Sequence, residues 1–150
     1  EVNEGMPYHV VDLIAHGLSE RGRGLRGSRV LVLGVAFKRD IDDPRNSPAE
    51  RVIELLLRRG AEVTYHDPYV PQYLIGPDVF HRQQRGLQSV ELSDEALTTA
   101  DCVVIISGHR AVDYQRVLDR ASLVVDTCHA TAGLSADVGR LIRLGDGATL

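Results

Sequence analysis

A charged segment that follows an apolar run holds the residues best suited to bind an anion. The run SRVLVLGVAF (28–37) leads into KRDIDDPRN, which contains Lys38, the only lysine among 17 basic residues. Arg45 lies two residues before Ser47, a residue type that caps helix N-termini. Cationic side chains beside the free N–H groups of a helix can bind a diphosphate. A second interpretation stays open, in which Lys38 pairs with nearby acids on a solvated loop (Asp40, Asp42 and Asp43).

Histidines and cysteines offer fewer options for chemistry. His66, His109 and His129 fall near the ends of predicted strands, and without metal-ligand spacing we expect them to form hydrogen bonds. Cys102 lies inside a predicted strand and is expected in the core. Cys128 follows another strand, and a nucleophilic role for it would need a positioned base. His129 is adjacent, but neighbours on an extended chain point apart, which argues against that role.

Alternating apolar runs and amphipathic segments must position these side chains. The predicted strands are 28–37, 61–68, 101–109 and 122–127, and the predicted helices are 6–21, 47–60, 93–100 and 111–121. This order predicts an α/β fold, a Rossmann-like doubly wound parallel sheet with helices on both faces, preceded by part of a long helix. Ligands of such sheets bind beyond the carboxyl ends of the strands, where the charged segment and the three histidines lie.

Other stretches have weaker patterns. Residues 69–89 are rich in Pro, Gly and Gln, and we expect a long loop there, with at most a short helix. A short strand is predicted at 89–92. The helix over 6–21 is expected to precede the domain and to pack elsewhere, so that it is exposed or disordered when the chain is isolated.

Composition and motifs exclude several classes. The 150 residues carry a net charge of −4, which does not favour nucleic acid or an anionic membrane as partners. Two cysteines do not form a disulfide framework, and we expect a cytoplasmic protein. A dinucleotide fingerprint would need glycine two residues after Gly34, where Ala36 stands, so we do not expect NAD to bind here in the usual Rossmann way.

The stretch GVAFKRDIDDPRNSPAERVIELLLRRGAEVTYHDPYVP resembles the C-terminal domain of the UDP-glucose/GDP-mannose dehydrogenases. The resemblance implies an enzyme that oxidises a nucleotide sugar at C6 to its uronate with two NAD⁺. It implies that Phe37 and Lys38 contact the nucleotide sugar, and that Arg45 reaches towards NAD. The planar guanidinium group of an arginine would not be an equivalent replacement for the compact ammonium group of Lys38.

One position departs from the family pattern. The family often has Asp-Thr-Arg-Asn after the last strand, and that arginine contacts the substrate, whereas this chain has Asp126-Thr127-Cys128-His129. Position 128 is therefore retained as a substrate-binding candidate with an altered side chain. His129 or a residue of the 69–89 segment is expected to compensate.

The resemblance also implies an organisation. Residues 1–24 match the end of a central dimerisation region and residues 25–150 the nucleotide-sugar-binding domain of a homodimer or higher oligomer. NAD would be bound mainly by an N-terminal domain outside this chain, and the fragment would be inactive alone. The sequence around residues 40–71 most resembles the UDP-N-acetylhexosamine branch of the family, which implies UDP-N-acetylglucosamine or UDP-N-acetylmannosamine as the substrate. Alternatives are a UDP-glucose or GDP-mannose 6-dehydrogenase, or a stand-alone nucleotide-binding regulatory module.

Overall fold

The computed structural model describes residues 5–36, 47–76, 85–137 and 139–145. Its helices are α1 (Met6–Ser19), α2 (Pro48–Arg58), α3 (Asp94–Thr99) and α4 (Tyr114–Arg120). Its strands are β1 (Arg29–Leu33), β2 (Glu62–His66), β3 (Gln72–Ile75), β4 (Arg85–Gln88), β5 (Cys102–Ile105), β6 (Val124–Asp126) and β7 (Leu141–Arg143).

Five parallel strands form the main sheet, in the order β2-β1-β5-β6-β7. The predicted parallel α/β sheet is thereby confirmed. Leu33 at the end of β1 pairs with His66 on one side and Ile105 on the other, and Ile105 pairs with Asp126. The carboxyl ends of four strands are therefore level with one another, and the loops that follow them meet at one edge.

Helices cover both faces of this sheet, as the continuous apolar strands predict. Val30 and Val32 of β1 belong to a core shared with α1 and α2. Leu31 and Leu33 point to the other face and pack with residues of α3 and α4. Alternate residues of one strand thus enter two separate cores, which explains why the strand shows no polar positions between its ends.

Serine side chains start two of the helices, at the positions that the sequence predicts. The Ser47 hydroxyl accepts a hydrogen bond of 3.1 Å from the Ala49 N–H at the start of α2. The Ser93 hydroxyl accepts one of 3.0 Å from the Ala96 N–H in α3. Each cap satisfies an N–H group that has no partner within its helix, and is worth about 1 kcal/mol.

The first helix does not stand apart, contrary to the expectation. Its apolar side is buried in the core that β1, β5 and β6 share with α2. Gly17 lets the helix approach closely, because a Cβ built there would lie 2.8 Å from Leu123 Cδ2 and 3.1 Å from Ile142 Cδ1. In this chain α1 is therefore part of the folded unit.

Val10→Ala tests that packing. Val10 is fully buried on α1, and the loss of two methyl groups together with the resulting cavity should lower the free energy of unfolding by about 2 kcal/mol. His9→Ala, one residue earlier on the exposed side, is the matched control and should change it little. Denaturant titration of both variants measures the difference, and equal midpoints would mean that α1 is detached in solution.

Residues 69–89 differ from the expected loop. They contain β3 and β4, which pair antiparallel, and Tyr73 and Ile75 of β3 are buried. Tyr73 packs edge-on against Tyr65 of β2, with ring centroids 5.9 Å apart. The alternation of exposed and buried residues in β3 spans only four residues. The residue against which Tyr73 packs, Tyr65, comes from another strand, so the local sequence pattern does not reveal β3.

Two smaller predictions near the sheet edges were also wrong. The strand expected at 89–92 ends earlier, because β4 stops at Gln88 and Ser89 forms only an isolated bridge with Tyr65. Strand β7 was missed because its residues are only half buried and its pattern is short. Among the described residues, no helix is long and apolar enough to cross a membrane.

Candidate functional site

The loops after β1, β2, β5 and β6 form the candidate site, at the edge that the sequence predicts. Asp67 follows β2, and Ser107 and His109 follow β5. All three are buried, although their types are polar. Buried polar groups persist where they have hydrogen-bond partners, so these residues organise the edge.

A buried carboxylate joins three of the loops. One Asp67 oxygen, Oδ2, accepts hydrogen bonds from the N–H groups of Val35 and Ala36, at 2.8 and 3.1 Å. The same oxygen lies 2.9 Å from Nε2 of His109, and neither side chain is more than 1% exposed. The other oxygen accepts a hydrogen bond of 2.8 Å from the Tyr69 N–H. The tyrosine ring in turn packs against the His109 ring, with centroids 4.9 Å apart.

The same contacts bear on whether NAD fits the turn after β1. In a dinucleotide-binding turn the backbone N–H groups face a pyrophosphate. Here the N–H groups of Val35 and Ala36 both face Asp67, whose negative charge would repel one. Gly34, at φ +87°, is so close to the loop after β5 that an added Cβ would clash with the Ser107 carbonyl oxygen. The described residues of this turn therefore do not fit a pyrophosphate.

A second buried carboxylate holds the loop after β6. Asp126 accepts hydrogen bonds from the N–H groups of Cys128, Ala130 and Thr131 and from the Thr131 hydroxyl. Burial acts to raise the pKa of Asp126, but these hydrogen bonds together outweigh it and hold the pKa below the usual value. Arg143 of β7 extends the network, with Nε 3.1 Å from the Thr131 hydroxyl. Asp126 thus fixes the course of residues 127–131.

His129 has a left-handed backbone within that loop. Its φ is +59°, and it is the one non-glycine residue with positive φ among the described residues. Such a conformation costs about 1–2 kcal/mol outside glycine and often accompanies a functional site. The extended chain assumed for Cys128 and His129 was therefore wrong, because the loop turns here and both side chains line the same cavity.

This cavity, of about 600 Å³, opens beyond β5 and β6. We call it the strand-end cavity; its described lining residues are Ile106, Ser107, Gly108, Arg110, Val112, Tyr114, Cys128, His129 and Ala130. One arginine and one histidine contribute to the lining, and none of these residues is acidic. The charge of these described residues favours an anionic ligand.

The predicted site residues fall into two groups. Cys128 lines the strand-end cavity and is partly exposed, as expected from its position. Phe37, Lys38 and Arg45, with Asp42 and Asp43, lie outside the described residues, and their predicted contacts remain predictions.

The structure confirms the predicted burial of Cys102 and the predicted hydrogen bonding of His66. Cys102 is fully buried, and burial raises the pKa of its thiol far above the usual value. Nδ1 of His66 lies 2.7 Å from the Val90 carbonyl oxygen, a distance that fits a hydrogen bond. No group of three potential metal ligands occurs within the described part of the chain.

Sequence reasoning missed the most connected residues of the site. Asp67 and Asp126 stood in the predicted strand-end segments without a role, and Arg110 was not considered. An acid at the end of an apolar strand, or directly after it, is the sequence signal that could have identified both carboxylates, because an unpaired acid buried there would be costly.

Comparison with known proteins assigns the chain. Residues 31–132 match the UDP-glucose/GDP-mannose dehydrogenase family, UDP binding domain. The chain belongs to this family. That span includes the carboxyl end of β1, both buried carboxylates and the described lining residues of the strand-end cavity.

Two curated relatives and one solved structure illustrate the similarity. UDP-glucose 6-dehydrogenase of Rhizobium meliloti is 35% identical over 114 residues, covering 73% of this chain and 25% of that protein. UDP-N-acetyl-D-mannosamine dehydrogenase of Methanocaldococcus jannaschii is 33% identical over 109 residues, covering 73% and 21%. The UDP-D-ManNAc dehydrogenase structure from Pyrococcus horikoshii superposes with a TM-score of 0.76 at 24% identity, covering 98% and 32%, which supports the fold alone.

As a member of the UDP-glucose/GDP-mannose dehydrogenase family, the chain matches one part of its longer relatives. It spans about a quarter of the length of the two curated relatives. The matched part is the UDP-binding domain, with a Rossmann-like fold. The relatives carry names of both UDP-glucose and UDP-N-acetylmannosamine enzymes, so the family assignment leaves the sugar open.

Proposed function

We propose that this chain binds the UDP part of a UDP-hexose within an NAD-dependent nucleotide-sugar 6-dehydrogenase. The observation that carries the proposal is the strand-end cavity, which has an arginine, a histidine and no described acid in a domain of the UDP-binding family. A UDP-sugar carries its negative charge on the diphosphate, and that charge complements this lining. The volume of about 600 Å³ lies in the usual range for small-molecule sites.

In the complete enzyme this domain would hold the nucleotide while chemistry occurs at C6 of the sugar. Binding energy far from the reacting carbon then positions that carbon for oxidation. The catalytic residues are proposed to lie outside this chain. NAD is proposed to bind mainly to that outside part as well, with Arg45 reaching towards it, because the described turn after β1 does not fit a pyrophosphate.

The sugar is proposed to be UDP-N-acetylglucosamine or UDP-N-acetylmannosamine. The motif between 40 and 71 resembles that branch, and one of the relatives is named a UDP-N-acetyl-D-mannosamine dehydrogenase. UDP-glucose is the second candidate, because the Rhizobium meliloti relative is named for it. Comparing the affinity of the complete enzyme for the three UDP-sugars and for GDP-mannose by calorimetry distinguishes them.

The domain boundary and the assembly are also proposals. Residues 1–24 would end the central helical region that forms the dimer of the complete enzyme, and residues 25–150 would form the nucleotide-sugar-binding domain. The packing of α1 on the sheet is compatible with a helix that connects two parts of one enzyme.

Lys38→Ala is expected to weaken UDP binding. Loss of a charge-assisted contact of about 1.5–3 kcal/mol corresponds to roughly a tenfold to hundredfold higher Kd. Lys38→Arg should recover only part of the affinity, because the guanidinium has a different shape. Isothermal titration of UDP into each variant measures this.

The matched control is Arg29→Ala, which removes a cation at the opposite end of β1. It should leave the Kd for UDP unchanged. If Lys38→Ala and Arg29→Ala bind UDP as well as the unmodified protein does, the proposed role of Lys38 is wrong.

A further inference from the structure

The loops after β5 and β6 face each other across the strand-end cavity. A Cβ added at Gly108 would lie 3.4 Å from Cys128 Sγ and 3.1 Å from the Ala130 Cβ. The β5 loop at 108 therefore lies close to the β6 loop at 128, and residues of both loops line the strand-end cavity. A cation on either loop could serve the same bound anion.

The distribution of charge over these loops is uneven. On the β6 loop the lining residues are Cys128, His129 and Ala130, none of which carries a permanent positive charge. On the β5 side, Arg110 is a basic residue of the lining. Among the described lining residues it is the one permanent charge.

The hydroxyl of Ser107 is directed elsewhere. It donates a hydrogen bond to the Ala36 carbonyl, and this ties the β5 loop to the turn after β1. The Asp67–His109 pair anchors the residue that precedes Arg110. Arg110 thus belongs to a loop that is held to the turn after β1 and to Asp67 after β2, and the arginine itself is exposed.

We propose that Arg110 is the phosphate-binding cation of the strand-end cavity, and that it supplies from the β5 loop the charge that the β6 loop lacks at Cys128. This inference rests on the proposed function and names a substrate-binding residue for it. Arg110 would contact the diphosphate of UDP by charge-assisted hydrogen bonds and would not contact the uracil or the sugar.

Four forms of the chain test this: the unmodified chain, Arg110→Gln, Arg110→Gln/Cys128→Arg and the control Arg120→Gln. Arg120 is an exposed arginine on α4 that does not line the cavity. Each is titrated calorimetrically with UDP and with uridine, which lacks the phosphates. Thermal unfolding of each form verifies that it is folded, and exposed Arg110 should tolerate the change.

Arg110→Gln is expected to raise the Kd for UDP roughly tenfold or more, and to leave weak uridine binding unchanged. The double variant should recover most of the lost UDP affinity, because an arginine at 128 faces the same space. Arg120→Gln should bind UDP as the unmodified chain does.

The alternatives give different results. If the unmodified chain binds UDP and Arg110→Gln binds it equally well, the inference about Arg110 is wrong while the proposed function stands. If Arg110→Gln weakens UDP and uridine equally, or if the arginine at 128 restores nothing, Arg110 acts on the fold and not on the phosphates. Absence of UDP binding to the unmodified chain would overturn the proposed function itself.

Discussion

Asp67→Ala is expected to lower the free energy of unfolding by about 3–5 kcal/mol, because it leaves several buried hydrogen-bonding groups without their acceptor at once. The change leaves the N–H groups of Val35, Ala36 and Tyr69 without their acceptor. It also leaves the buried His109 ring without the carboxylate 2.9 Å from its Nε2. Urea titration at neutral pH measures the loss.

A conservative variant separates charge from hydrogen bonding at this position. Asp67→Asn keeps one acceptor oxygen. Its amide NH₂ group, however, would face one of the N–H groups that now donate a hydrogen bond to Asp67, so that two donors would meet. We therefore expect an intermediate loss of about 1–3 kcal/mol. Asp119→Asn, an exposed acid on α4, is the control and should change little.

The coupling between Asp67 and His109 has its own measurement. The losses for Asp67→Ala and His109→Ala should not add in the double variant, because each single change already breaks the same contact. Additive losses, or an Asp67→Ala protein as stable as the unmodified one, would contradict the structural role assigned to this pair.

Asp126→Asn is expected to cost about 2–3 kcal/mol at neutral pH, because charge-assisted hydrogen bonds to the loop after β6 are weakened. The effect should depend on pH. The folded-state pKa of Asp126 lies below its ordinary value of 3.8, so the carboxylate stabilises the fold fully above that value. This stabilisation is lost as the pH falls through 3.8 towards the lower folded-state pKa.

The acid limb of the stability curve gives the measurement. The free energy of unfolding should fall less steeply below about pH 4 in Asp126→Asn than in the unmodified protein. Asp119→Asn should retain the original slope, since its side chain lies on the surface. Identical slopes in all three proteins would show that Asp126 does not hold its charge in the folded state by these hydrogen bonds.

The main sheet was predictable because each central strand is a continuous apolar run and each is followed by polar residues. The capping residue Ser47 marked the start of α2, one of the helices that connect them. The hairpin of β3 and β4 was not predictable from the sequence. Tyr73 is buried because it packs on Tyr65 of another strand, and the four residues of β3 show no pattern that indicates this. The burial of α1 also depends on contacts with strands far along the chain.

The candidate site divides in the same way. The location of the site at the strand ends followed from the fold class, but the hydrogen bonds that connect its residues did not. Asp67 and His109 are 42 residues apart, and they meet only because β2, β1 and β5 are adjacent in a fixed register. The positive φ of His129 arises from the loop around Asp126, which an extended continuation of β6 would not have.

Titration of UDP into the isotopically labelled chain, followed by the backbone amide resonances, tests the central claim most directly. We predict saturable shifts at the strand ends, centred on Gly108, Arg110, Cys128 and His129. Amides at the opposite edge of the sheet, near Arg29 and Glu62, should stay unchanged. If millimolar UDP moves no resonance, or moves those at the opposite edge instead, the strand-end cavity is not a UDP site.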